Sequence, residues 1–131
     1  MRVTAAEREL LASFAALSYP LGSLNHTEHV RLAWTLLAEQ PLLEAIRACR
    51  RLLRAYAEHH GAAANYNETI TCFYLLLIRE RMDRLETNHS WNEFRLANPD
   101  LFGSPKVFLE HWYPAGAAFS SEAIAVFRLP D

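Results

Sequence analysis

The 131-residue sequence has little of what marks several common classes of protein. Its two cysteines, Cys49 and Cys72, form no C-x-x-C unit, so no zinc ribbon or thiol redox motif is present. The most apolar run, Phe73 to Ile78, is too short to span a bilayer, and the first residues lack the apolar core of a secretory signal. We therefore expect a cytoplasmic protein with reduced thiols and no membrane partner.

An excess of charge of one sign is also missing. The formal net charge is −2 and charged residues make up 21% of the sequence, so no broad basic surface indicates a nucleic-acid partner. Arginines do concentrate between Arg47 and Tyr56, and we interpret them as the solvated face of a helix. We therefore expect a small-molecule substrate rather than a nucleic acid, and the oligomeric state stays open.

Glycines number only four, and apolar residues recur at three- and four-residue spacing. This pattern predicts an all-α fold, a single domain over residues 1–131 with about four main helices. Thr4 and Glu7 predict a capping box at the first helix start. The main helices are predicted from Thr4 to the stop at Pro20 and Gly22, from His26 to Ala38, from Pro41 to the stop at Gly61, and from Tyr66 or Asn67 to about Leu85.

The C-terminal third has a looser pattern. Short helices are predicted over Trp91 to Leu96 and over Pro105 to Trp112. The last residues include Phe119, Ile124 and Phe127, which indicates a segment that packs against the helices rather than a free tail. We expect a packed, irregular C-terminal region.

Short connections between the second, third and fourth helices favour an antiparallel run. The second and fourth helices would then point the same way, with their first turns beside the last turn of the third. This arrangement brings five polar residues to one end of the bundle: His26, His29, His59, His60 and Glu68.

His26 and His29 share a helix face because they lie three residues apart. Two imidazoles and a carboxylate can bind iron, manganese or zinc and leave positions open for water or substrate, so His26, His29 and Glu68 are the predicted metal ligands. A metal-free alternative makes His26 or His29 a general base oriented by Glu68. In both versions His29 and Glu68 are the predicted catalytic residues.

Three further residues are predicted to bind substrate. The first turns of two helices favour an anionic group, and Arg31 could hold a carboxylate through a bidentate fork. Tyr66 and Trp34 would orient the substrate. The two histidines also have a purely structural alternative, in which His26 is exposed and His29 bonds a neighbouring backbone group.

Other titratable residues are weaker candidates. His59 and His60 precede Gly61, where imidazoles suit the negative end of a helix, although His60 is a reserve ligand. His111 lies in an aromatic segment that either fills a groove or closes over the site, and it would become a further ligand if it reached the site. Glu28 is interpreted as a partner of the helix cap.

Two segments carry a resemblance to a family of small, mostly uncharacterised bacterial proteins. His26 to Trp34 matches the family's H-x-x-H-x-R-x-A-W motif, and Tyr66 to Thr71 resembles Y-H-E-T-I-T with Asn67 in place of histidine. The tail from Tyr113 to Ala123 is also similar, with Pro114 in place of a serine. The resemblance implies a helical fold and a polar site at His26, His29 and Glu68, but no reaction.

Two functions of different classes follow. The first is a small metal-dependent enzyme that acts on a low-molecular-weight substrate, with an anionic group held by Arg31. The alternative is a non-catalytic helical module that binds a ligand or a partner protein. They differ in whether His26, His29 and Glu68 surround one cavity, as an enzyme requires.

Overall fold

The computed structural model describes residues 1–130 and confirms the all-α fold. Within these residues no strand forms, and the one β-type pairing is an isolated bridge between Arg2 and Ser90. Seven α-helices follow one another along the chain: α1 Ala5–Ala15, α2 His26–Glu39, α3 Leu42–His59, α4 Glu68–Asp83, α5 Trp91–Ala97, α6 Pro105–Leu109 and α7 Ser121–Ala125.

Helix α1 begins as predicted but ends earlier. The Glu7 carboxylate accepts hydrogen bonds from the Thr4 amide at 3.0 Å and the Thr4 hydroxyl at 2.8 Å, which is the carboxylate half of the predicted capping box. The predicted stop at Pro20 and Gly22 is wrong, because Leu17 adopts a left-handed conformation with φ 58° and turns the chain there. The Ser18 amide then bonds the Ser13 carbonyl, as in a Schellman-type helix end.

Helices α2, α3 and α4 have nearly the predicted limits and form the centre of the molecule. Asn25 caps α2 by accepting from the Glu28 amide, and Asn67 caps α4 by accepting from the Ile70 amide. Gly61 ends the turn after α3 with φ 67°, a conformation that a side chain would strain. All residues from Leu32 to Leu37 are buried, so α2 is enclosed on every side.

The C-terminal region is tied to the first turns of α4. Asn67 donates to the Ala118 carbonyl at 2.9 Å, and the Thr69 hydroxyl donates to the Val126 carbonyl at 3.1 Å. The Arg128 amide in turn donates to the Thr69 hydroxyl at 3.0 Å. The predicted packing of the last residues is therefore confirmed. It places them beside the start of α2 and the end of α3.

None of the helices in residues 1–130 has both the length and the apolar character needed to cross a membrane.

Candidate functional site

A cavity of about 450 Å³ lies where the start of α2, the end of α3 and the start of α4 meet. His26 and His29 line it from the first turn of α2, His60 from the residue after α3, and Ile70 from the first turn of α4. Phe119, from the C-terminal region, forms part of its wall. The sequence predicted this meeting of three helix ends from the short connections between them.

Small side chains explain why the space stays open. Ala33, Ala57, Ala62 and Ala64 all line the cavity, where larger apolar residues would fill it. Protein interiors otherwise pack as densely as organic crystals, with few voids larger than a water molecule. A space of this volume lies within the range of small-molecule pockets.

His26 is held in one orientation and one tautomer. Its Nε2 lies 2.8 Å from the Leu101 carbonyl oxygen, and since a carbonyl only accepts, Nε2 carries the proton. The neutral ring therefore keeps Nδ1 as an acceptor, and it stands edge-to-face against Tyr74 with ring centroids 5.1 Å apart. Burial lowers the pKa of His26, although the bond to Leu101 opposes the shift.

His29 is exposed to solvent, and it lines the cavity from the first turn of α2. The cavity walls beside it replace part of the bulk water that would stabilise a charged imidazolium. Burial lowers the pKa of His29 to about 4, and the neighbouring His26 lowers it further in the same direction. The ring makes no hydrogen bond to any side chain or backbone group of residues 1–130, so near neutral pH both its nitrogens are free for a ligand.

Two further polar atoms on residues of the cavity wall lack partners. The Tyr74 hydroxyl and His60 Nε2 are buried and make no hydrogen bond within residues 1–130. Burial raises the pKa of Tyr74, so its hydroxyl keeps the proton. Leaving such groups unpaired costs about 1–3 kcal/mol each. Atoms of this kind are uncommon in native proteins. The surrounding protein encloses both atoms, and other atoms of the two residues line the cavity.

Glu68 is not with the two histidines. Its carboxylate accepts from Arg50 Nε at 2.8 Å, Arg50 Nη2 at 2.6 Å, Arg54 Nη2 at 3.1 Å and the Tyr66 hydroxyl at 2.7 Å. We call these four residues the Glu68 cluster. The hydrogen bonds from Arg50 hold the pKa of Glu68 below its usual range, burial opposes this, and Tyr66 lowers the pKa further.

Tyr66 separates the two regions. Its ring lines the cavity, its hydroxyl donates to Glu68, and the Arg54 guanidinium lies over the ring, 4.8 Å from its centroid. A molecule in the cavity could therefore contact this ring. The predicted role of Tyr66 in substrate binding stays a prediction.

Arg31 and Trp34, the other predicted substrate contacts, do not line the cavity. Arg31 does hold a carboxylate, but that of Glu7, to which it donates from Nε at 3.1 Å and also from Nη2. Trp34 is fully buried and donates from Nε1 to His89 Nε2 at 3.1 Å. The structure gives both residues internal partners.

The predicted ligand set of His26, His29 and Glu68 is not assembled. Within residues 1–130 no three histidine, cysteine, aspartate or glutamate side chains are grouped closely enough to hold a metal ion. The physical reason is that four donors from Arg50, Arg54 and Tyr66 direct the Glu68 carboxylate toward α3. His59 and His111 are exposed and do not line the cavity, whereas His60 does.

Sequence reasoning missed two features of the site. Tyr74 was interpreted only as part of an apolar run, and nothing in the local pattern shows that its hydroxyl lacks a partner. Arg50 and Arg54 were interpreted as a solvated face, but their four-residue spacing on α3 lets both reach one carboxylate. That spacing was a signal for an acidic partner.

No protein-family model, curated protein or solved structure matches the chain. The resemblance carried by His26 to Trp34 and Tyr66 to Thr71 stays a prediction. The function must therefore be inferred from the cavity itself.

Proposed function

We propose that the protein binds a low-molecular-weight molecule in the cavity between α2, α3 and α4. The observation that carries the proposal is a space of about 450 Å³ inside a small domain, with the unpaired ring of His29 on its wall. A cavity of this size costs the fold packing contacts. A bound molecule would restore them.

The two imidazoles also suit proton transfer. His26 offers Nδ1 as an acceptor in a fixed tautomer, and His29 is neutral near pH 7 with no partner in residues 1–130. A bound molecule that loses a proton could pass it to His29 as a general base, the role predicted from the sequence. Glu68 does not take the predicted catalytic role in this version, because its carboxylate is bound within the Glu68 cluster.

A metal-dependent enzyme is the second candidate, and the lowered pKa values of His26 and His29 favour it. Iron, manganese and zinc bind the neutral form of imidazole, so these two rings need not lose a proton first. Further ligands would have to come from water or from the bound molecule. Elemental analysis of untagged protein would test this candidate. Stoichiometric metal that disappears in His29→Ala supports it, and metal-free protein contradicts it.

We place the protein in the cytoplasm, with reduced thiols. Cys49 and Cys72 are both free, and burial raises the pKa of the Cys49 thiol to about 12. A protonated, buried thiol is chemically inert, which fits a packing role for Cys49.

Two dyes test binding in the cavity. The uncharged dye prodan and the anionic dye anilinonaphthalene sulfonate both emit at shorter wavelength when they leave water. Ile70→Trp would place an indole in the cavity, whereas Leu76→Trp adds the same group on an exposed part of α4. We expect at least one dye to bind the wild type and Leu76→Trp, and to bind Ile70→Trp at least about tenfold more weakly.

Circular dichroism and thermal unfolding must show that both variants fold. Failure of both dyes to bind the wild type, or equal binding by the two folded variants, would contradict the proposal.

A further inference from the structure

The cavity wall differs in charge from the rest of the chain. Aspartate, glutamate, lysine and arginine make up 21% of the sequence, yet none of them lines the cavity in the part of the chain that the structure describes. Most of the wall is aliphatic or aromatic, and the rings of Tyr56, Tyr66, Tyr74 and Phe119 contribute to it. The wall therefore presents apolar surface and a few uncharged polar atoms.

The nearest arginines are engaged elsewhere. Arg31 donates to Glu7, and Arg50 and Arg54 donate to Glu68. A cation that already pairs with a buried carboxylate cannot also neutralise a second anion without weakening the first pair. An anionic molecule in the cavity would lose its hydration and find no opposite charge on the wall.

The two helix starts at the cavity are also less available to an anion than their position suggests. Free amides at the first turn of a helix attract anions. Here Asn25 accepts from the Glu28 amide and Asn67 accepts from the Ile70 amide, each at 3.0 Å. Each asparagine side chain therefore already accepts a hydrogen bond from one of the amides that an anion would bind.

We propose that the ligand is an uncharged, mostly apolar molecule. This inference rests on the proposed function, because it names the chemical class of the molecule that the cavity binds. The sequence predicted an anionic group held by Arg31, and the pairing of Arg31 with Glu7 favours an uncharged ligand instead.

Three probes of one size test the charge: methyl naphthyl ketone and ethylnaphthalene, which are uncharged, and naphthoate, which is an anion. Equilibrium dialysis against the whole protein gives each dissociation constant. We expect the ketone to bind more tightly than naphthoate by at least about tenfold, because only the anion must be desolvated without a counter-charge.

The two proposals fail in different ways. If no probe and no dye binds differently to Ile70→Trp and Leu76→Trp, the proposed function itself is wrong. If binding is sensitive to Ile70→Trp but naphthoate binds as tightly as the ketone, the cavity binds ligands and the uncharged class is wrong.

Discussion

The two sides of the first turn of α4 handle polar groups in opposite ways. On one side lies the Glu68 cluster, where four donors occupy both oxygens of a buried carboxylate. On the other side lies the cavity, where the Tyr74 hydroxyl and His60 Nε2 have no partner in residues 1–130. The Tyr66 ring, which lines the cavity while its hydroxyl donates to Glu68, connects the two sides.

The difference distinguishes residues whose hydrogen bonds stabilise the fold from residues that line the cavity and can contact a ligand. A group whose bonds are complete contributes to stability, and its removal leaves its former partners unpaired. A buried group without a partner costs stability, so its removal should not lower the free energy of unfolding. Each prediction below tests one side of this contrast.

The largest effect is expected from Glu68→Gln. The substitution keeps the shape of the side chain but leaves Arg50 and Arg54 without their counter-charge, and we expect a loss of about 3 kcal/mol in the free energy of unfolding. Urea denaturation measures this loss. Affinity of the folded variant for methyl naphthyl ketone should stay within about twofold of the wild type, because Glu68 does not line the cavity.

Glu80→Gln is the control for that loss. Glu80 lies on the same helix and pairs with Arg84 at 2.9 Å, but both side chains are more than half exposed. Exposed pairs contribute little, so we expect a change of less than about 0.5 kcal/mol. Equal effects of the two substitutions would contradict the structural role of the Glu68 cluster.

Tyr66→Phe is expected to have a smaller effect. It removes one of the four donors to Glu68 and keeps the ring that lines the cavity. We expect a loss of about 1 kcal/mol in the free energy of unfolding and no change in the affinity for ethylnaphthalene. Denaturation and equilibrium dialysis on the same sample check both values. A clear fall in that affinity without a loss of stability would assign the hydroxyl to the cavity instead.

The smallest effect concerns pH and His29. Its pKa is about 4 in the folded protein and near 6.5 in an unfolded chain, so between these values the unfolded state binds more protons. Stability should therefore fall as the pH is lowered from 6.5 to 4. Because the ring is accessible to solvent, we expect this contribution to be less than about 1 kcal/mol.

His29→Asn should reduce that fall, since asparagine does not titrate. The comparison is made by urea denaturation of both proteins at several pH values between 4 and 7. Identical pH dependence in wild type and variant would mean that the cavity does not lower the pKa of His29.

Much of the fold follows from the sequence because local signals agreed with it. The cap at the start of α2, the left-handed Gly61 and the short connections together predict three helices whose ends meet. The end of α1 was missed because Leu17 takes a left-handed conformation that is uncommon for leucine, so the stop was placed at Pro20 instead.

The sequence predicts where the site lies but not the orientation of its side chains. Helix directions place His26, His29 and Glu68 at one end of the bundle, but they do not decide which way a side chain turns. Arg50 and Arg54, one turn apart on α3, direct Glu68 away from the histidines, and only tertiary packing shows this. The unpaired hydroxyl of Tyr74 is likewise visible only when every neighbour is known.

The central claim is that the cavity, and no other surface, holds an uncharged molecule. Nuclear Overhauser contacts between methyl naphthyl ketone and the isotope-labelled protein measure this directly. We predict contacts from the naphthyl protons to the ring protons of His26 and His29 and to the Ile70 methyl groups. Contacts confined to side chains outside the cavity, or none at saturating ketone, would contradict the claim.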